Sequence, residues 1–263
     1  MKKIFTPLLL ALFTVLIAGS SIGPDSSGTP AKRRGFTILT YNVRNCKGLD
    51  NITDYQRVAD VINRIGPSVV ALQELDSATR RSNGIVVLDE LARRTKMYPV
   101  YGASIDFQGG KYGVGILTRE RPLGWWLVPL PGREERRSLL LVELKDVIIC
   151  CTHFSLNEYD RMASVEIIND LFKDNRKPVI LAGDLNATPQ SEVIRTLEEK
   201  WTMLSDPDAP TFPANIPDRC IDYIFVLQGA EATITAVKTR VEAEPVASDH
   251  LPVWVKFKFR RVR

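Results

Sequence analysis

Only two histidines, His153 and His250, occur in the 263 residues. With so few imidazoles and no HExxH motif, the chain lacks what a zinc hydrolase needs. Four cysteines are present, Cys46, Cys150, Cys151 and Cys220, but no CxxC pair, so a thiolate metal site is not expected. GxSxG is also missing. Ser248 stands beside Asp249 and His250 without the elbow glycines of a serine hydrolase. Nor is charge of one sign in excess. The formal net charge of +4 includes Lys2 and Lys3, and without them it is +2, too mild to announce a nucleic-acid binder.

No apolar run reaches the roughly 20 residues of a membrane-spanning helix. The longest candidate, residues 4–18, is broken by Thr6, Pro7 and Thr14, follows Lys2-Lys3 and leads into Gly19, Ser20 and Ser21. That order of charged, apolar and small residues is expected to be a secretory signal peptide over residues 1–20, with the protein secreted or periplasmic; an uncleaved anchor is the lesser alternative. No cysteine follows the run to take a lipid. Residues 21–35, rich in Ser, Gly and Pro and then basic, read as a flexible linker. Residues 36–259 show no internal repeat and no second composition regime, so one domain is expected there, with a basic tail at 260–263. An even number of cysteines in an exported chain allows disulfides without requiring them. A bridge between Cys46 and Cys220 stays open, whereas Cys150 and Cys151 read as buried free thiols on opposite faces of a strand.

Strand and helix signals alternate at first. Residues 36–41 alternate as a strand and deliver Asn42; Thr53-x-x-Gln56 reads as a capping box for a helix carrying Val58, Val61, Ile62 and Ile65, stopped by Pro67. Residues 68–72 form a short core strand leading into Gln73-Glu74, and a helix covers 87–95. Successive strands follow around Val100 and over 114–118, 125–129, 138–144 and 147–152, with turns at Gly109-Gly110, Pro131-Gly132 and Lys145-Asp146. A helix over 160–172, the strand ending at Asp184, a helix over 192–199 and strands over 221–226, 232–239 and 251–259 complete the domain. Strand clusters interleaved with helices predict an α/β fold of two stacked sheets with helices outside.

Polar residues fall at unusual places on this plan. Asn42, Glu74, His153, Asp184 and Asn186 each end an apolar strand, Asp249-His250 precedes one and Asp222 sits inside another. Both histidines belong to the set. Asp184 and Asn186, two apart, are expected on one side of their strand. Glu74 and Asn42 offer hard oxygen donors suited to Mg²⁺ or Mn²⁺. Carboxylate, amide and imidazole around one hard cation describe metal-assisted attack of water on a phosphate ester. Elsewhere the bland readings are favoured. Gly109 to Gly113 is a hairpin turn as readily as a substrate rim, and Arg133, Arg136 and Arg137, interleaved with Glu134 and Glu135, read as a solvated turn. Arg161 reads as a surface residue, and Trp125-Trp126 is assigned to sheet packing over a membrane-binding tip. Basic residues alternating through 256–263 read as an edge strand guarded by charge.

Taken in order, Thr40-Tyr41-Asn42, Leu72-Gln73-Glu74, Thr152-His153, Gly183-Asp184-Leu185-Asn186, Ile221-Asp222-Tyr223 and Ser248-Asp249-His250-Leu251-Pro252 resemble the motifs of the endonuclease/exonuclease/phosphatase (DNase I-like) superfamily. The resemblance spans nearly all of residues 36–259. It implies a four-layer α/β/β/α sandwich with the site at one edge of two mixed sheets. It further implies a phosphoesterase with Glu74 as principal Mg²⁺ ligand (Mn²⁺ also suits), assisted by Asn42 and Asp249. His250 becomes the general base, oriented by Asp222, and an ordinary histidine pKa of about 6.5 would suit it. His153, Asp184 and Asn186 take the phosphate, the water and the leaving oxygen. A phosphodiester substrate is expected, with nucleic acid, a phospholipid head group and a small phosphoester all open; no protein partner is implied, and the chain reads as a monomer. Repair-type nucleases of the family carry an acid where Arg44 stands here, and no carboxylate partner for His153 is identifiable by spacing. These two departures support the alternative of a non-catalytic binding protein on the same fold.

Overall fold

The computed structural model describes residues 35–230 and 232–261; the expected signal peptide, the linker through residue 34 and the last two residues of the tail lie outside the described residues. In chain order come β1 (Phe36–Asn42), α1 (Tyr55–Ile65), β2 (Val69–Ser77), α2 (Val87–Thr95), β3 (Tyr98–Phe107), β4 (Gly110–Thr118), β5 (Gly124–Leu130), β6 (Arg137–Glu143) and β7 (Ile148–His153). There follow α3 (Glu158–Leu171), β8 (Val179–Asp184), α4 (Glu192–Glu198), β9 (Trp201–Met203), β10 (Asp222–Leu227), β11 (Ala232–Val241) and β12 (Val253–Arg261). Two six-stranded mixed sheets result, ordered β11-β12-β1-β2-β4-β3 and β5-β6-β7-β8-β10-β9.

Alternation along the strands sorts side chains into three apolar layers. Ile38, Ala71, Ile149, Cys151, Ile180, Ala182 and Ile224 meet between the sheets. Leu39, Tyr41, Val70 and Leu72 turn outward under α1 and α2, while Cys150, Leu181, Tyr223 and Phe225 turn outward under α3 and α4. The expected α/β/β/α sandwich is the fold. Each fully buried Leu, Ile or Phe contributes about 1.5–3 kcal/mol, and a one-residue slip would carry every such side chain to the wrong face. Register is therefore tightly set, and with it the position of whatever lies at the strand ends.

Several local expectations are corrected. Asp54, not Thr53, caps α1, accepting from the backbone N–H of Gln56 and Arg57, and Gly66 in the left-handed region ends it one residue before Pro67. β9 has only three residues, too few to show alternation. β12 is not an edge, because β11 pairs along it and takes the edge position. Trp125 and Trp126 do lie on a strand, but β5 is the sheet's outer strand, and they are 55% and 52% exposed. All four cysteines are free and buried, so Cys46 and Cys220 form no bridge.

Gly183 matters because of a close approach. A Cβ there would lie 2.1 Å from the Thr152 carbonyl oxygen, so only glycine lets β7 and β8 pair closely enough to set His153 opposite Asp184. Gly183→Ala is expected to lower stability by about 1–3 kcal/mol, the range for overpacking, measured by denaturant unfolding; an unchanged midpoint would show that the strand pair tolerates separation.

Candidate active site

The site lies where the inward faces of both sheets run out of apolar residues. Asn42 continues the inward series of Ile38 and Thr40, His153 that of Ile149 and Cys151, Asp184 that of Ile180 and Ala182, and Asp222 begins the series of Ile224 and Val226. Glu74 reaches the same place by another route. The register of β2 against β4 shifts between Leu72 and Leu75, and Glu74 at this bulge has φ of 61°. A bulge bends a strand and re-aims its side chain, here toward the edge of the sandwich.

Asn42 sits at the centre. Its Nδ2 donates to Glu74 Oε1 at 3.0 Å and to Asp184 Oδ2 at 3.1 Å, and lies 3.5 Å from His250 Nε2. Its Oδ1 accepts from the Arg44 backbone N–H at 3.1 Å. Acceptors on one side and a donor on the other determine the amide's orientation. His250 is clamped: Nδ1–H donates to Asp222 Oδ2 at 2.9 Å, and the Phe212 ring lies 4.7 Å away, centroid to centroid. Thr211 Oγ1 also donates to Asp222 Oδ2, at 2.6 Å. The partner of His153 is Asp184, with Nε2 3.4 Å from Oδ2. Sequence spacing identified no partner, because the pair forms across two strands 31 residues apart; the nearby Asp160 is bound to Arg133.

Asn186 departs from the expected geometry. The strand ends at Asp184, and Asn186, with φ of 48°, donates its backbone N–H to Asp184 Oδ1 at 2.9 Å and its Nδ2 to the Phe154 carbonyl at 2.9 Å. It buttresses Asp184 rather than standing beside it on a strand. Asp249 Oδ2 faces Arg44 Nε at 3.5 Å, and Ser248 Oγ ties this loop to the Asn42 carbonyl at 2.7 Å. Thr211, Phe212 and Arg137 escaped sequence reading. The first two lie in a proline-rich loop without periodicity, and Arg137 was grouped with a solvated turn although it is only 7% exposed, held by Glu134 and Glu135. Arg161 braces the loop after β7 through the Ser155 and Leu156 carbonyls. Gly109 and its neighbours make the β3–β4 hairpin, where Lys111 pairs with Asp106.

Burial sets the electrostatics. It pushes the Glu74 carboxyl up, against the Asn42 hydrogen bond, and Asp249 and Asp184 push it up further. The two imidazoles are driven apart. Burial lowers His153 to about 4, only partly opposed by Asp184. Burial acts the same way on His250 but is overcome by Asp222 and Asp184, which raise it to about 10. The ordinary value expected for His250 is thus not what its surroundings impose. Asp184 and Asp222 are each 1% exposed, and Asp222 Oδ1 is buried without a partner. Such concentrated carboxylate oxygen, with a carboxyl already strained toward protonation, fits a hard divalent cation. Among the described residues, ligand atoms of Asp184, Asp222 and His250 lie within 4.8 Å of one another. Asp222 Oδ2 is already occupied by His250 and Thr211.

Opposite histidine shifts give the metal-free protein opposite pH limbs. His250, raised, stabilises the fold fully below about pH 6.5 and loses that contribution as pH rises toward about 10. His153, lowered, takes no proton in the fold while the unfolded chain does, so stability falls between about pH 6.5 and about 4. Unfolding midpoints measured across pH in chelator are expected to show the alkaline limb flattened in His250→Gln and the acid limb flattened in His153→Gln. Parallel curves for wild type and both variants would refute the assignment.

A profile of the Endonuclease/Exonuclease/phosphatase family matches residues 39–250. Over 168 residues the chain is 27% identical to the protein YbhP of Escherichia coli K12, a match covering 58% of this chain and 65% of that relative, less than two thirds of its length. Among solved structures, an endonuclease/exonuclease/phosphatase from Beutenbergia cavernae superposes with a TM-score of 0.74 at 26% identity, covering 86% of this chain and 72% of the other. A mannosyl-6-phosphatase from Bacteroides thetaiotaomicron has the same fold at a TM-score of 0.64 and 17% identity, covering 85% of this chain and 100% of the other. Members of the family are metal-dependent phosphoester hydrolases. The matched span takes in every residue from Asn42 to His250 that the sandwich gathers at its edge, and the chain belongs to the Endonuclease/Exonuclease/phosphatase family.

Proposed function

We propose that this chain is an exported, monomeric, Mg²⁺-dependent phosphodiesterase. The observation that carries the reading is the His250–Asp222 pair, whose Nε2 faces Asp184 and the Asn42 amide, with Glu74 on the far side of that amide. Glu74 would hold the ion, with Asn42 fixing its carboxylate and Asp249 adding charge nearby. A bound Mg²⁺ supplies charge for the phosphate oxygens and acidifies water. With the carboxylate field on it offset by the ion, a neutral His250 would take the proton of the attacking water on Nε2 while Asp222 holds the ring and meets the growing charge on Nδ1–H. Asp184, fixed by Asn42 and the Asn186 backbone, orients that water. His153, kept neutral, offers a hydrogen bond to the phosphate or to the leaving oxygen. Oxygen donors favour Mg²⁺ or Mn²⁺ over softer metals. Export is supported by Lys2-Lys3 and the interrupted apolar run of residues 4–18.

Hydrolysis of bis-p-nitrophenyl phosphate is expected in Mg²⁺, to be abolished by chelator and restored by Mg²⁺ or Mn²⁺. His250→Gln is expected to lower kcat by about 10²–10⁴, the range for loss of a general base. Activity that survived both treatments would sink the reading. Positive charge beside Glu74 and Asp184 should offset the carboxylate field on His250, so its pKa, followed by NMR, is expected to fall when Mg²⁺ is added. A rise or no movement would place the ion elsewhere.

A further inference from the structure

The turn leaving β1 holds its backbone in an unfavourable shape. Arg44, Asn45 and Cys46 follow one another with φ of 46°, 53° and 58°. Asparagine tolerates the left-handed region, but other non-glycine residues enter it against the steric clash of Cβ with the following carbonyl oxygen. Such strain persists only where its surroundings over-determine it, and it gathers at functional sites. Here the restraints are identifiable: Arg44 N–H donates to Asn42 Oδ1, Cys46 N–H to the Val43 carbonyl at 2.7 Å, and Asp54 N–H to the Cys46 carbonyl at 2.9 Å. The outcome is that Arg44 turns back over the site. Its Nε meets Asp249 Oδ2 at 3.5 Å, and among the described residues no partner engages Nη1 or Nη2. The side chain is 35% exposed, so these donors are open to a ligand.

We propose that Arg44 is a phosphate-binding residue of this site, standing as a fixed positive charge on the Asp249 side where a second divalent ion would otherwise be drawn. Asp249, facing a guanidinium, offers a second cation less attraction than an unpaired carboxylate would. The planar fork of free N–H groups suits the non-bridging oxygens of a phosphate. One ion and one arginine then share the phosphate's charge. This inference rests on the phosphoester reading above, but its test does not need turnover.

Two binding measurements decide it. Mn²⁺ titration followed by EPR is expected to give one ion per wild-type chain. Calorimetry with inorganic phosphate on the Mg²⁺-loaded protein is expected to show affinity falling at least about tenfold in Arg44→Gln, with Mn²⁺ affinity retained or tightened, because a repelling charge has gone. Arg44→Lys, which keeps the charge but not the fork, should fall between the two, and it carries the comparison if thermal unfolding shows Arg44→Gln misfolded. Two Mn²⁺ per wild-type chain, no phosphate binding by wild type, unchanged phosphate affinity in Arg44→Gln, or Mn²⁺ affinity that drops with it would each overturn the proposal. A wild-type chain that binds phosphate through Arg44 but cleaves no phosphoester would instead overturn the catalytic reading and leave this one standing.

Discussion

The amide of Asn42 holds the two sheets' polar ends together. Its N–H groups go to Glu74, from the same sheet, and to Asp184, from the other, while its oxygen takes the Arg44 N–H. Two carboxylates approaching one another in a poorly solvated cleft repel, and a neutral donor between them relieves only part of that repulsion. Burial raises Glu74, with Asp249 and Asp184 adding to the shift, and Asp222 and Asp184 overcome burial to raise His250. A site so biased toward negative charge is prepared for a cation, and the rigidity of the sandwich keeps the carboxylates from moving apart.

That rigidity is also what allows unfavourable backbone shapes to persist. Glu74, Asn186 and the run from Arg44 to Cys46 all have positive φ, and all lie on loops or bulges at the ends of strands whose other residues are buried. Strands set by apolar register place their last residues to within little freedom, so the next residue or two can be held in a costly conformation without the fold yielding. Glu74 is aimed by its bulge, Asp184 is seated by the turn at Asn186, and Arg44 is folded back by the turn after β1.

The two histidines illustrate how one residue type is given two characters. Both are buried and both approach Asp184 Oδ2. His250 has a second carboxylate, Asp222, on its other nitrogen, whereas His153 has Arg137 among the groups that disfavour its charge. One is thereby biased to hold a proton and the other to remain neutral.

Apolar periodicity, two residues along strands and 3.6 along helices, was enough to mark nearly all strands, the four helices and two stacked sheets with helices outside, because the buried face is written locally along each element; the four-layer α/β/β/α order was implied by the motif resemblance. The same alternation marked the ends at which Asn42, His153 and Asp184 stand, and the motif order identified their family; Glu74, expected to end its strand, lies within β2, and Asp222, expected inside a strand, opens β10. Tertiary structure alone decided who touches whom. The pairing of His153 with Asp184 depends on the close approach at Gly183, the role of Asn186 as a buttress depends on a left-handed turn, and the burial of Arg137 and the exposure of the two tryptophans depend on which strand is interior and which is outermost. Thr211 and Phe212 reach Asp222 and His250 from an irregular loop whose path no period encodes. Local sequence specifies which face a residue takes, but contacts between residues far apart in the chain, and the charges they impose on one another, exist only once the sheets have stacked.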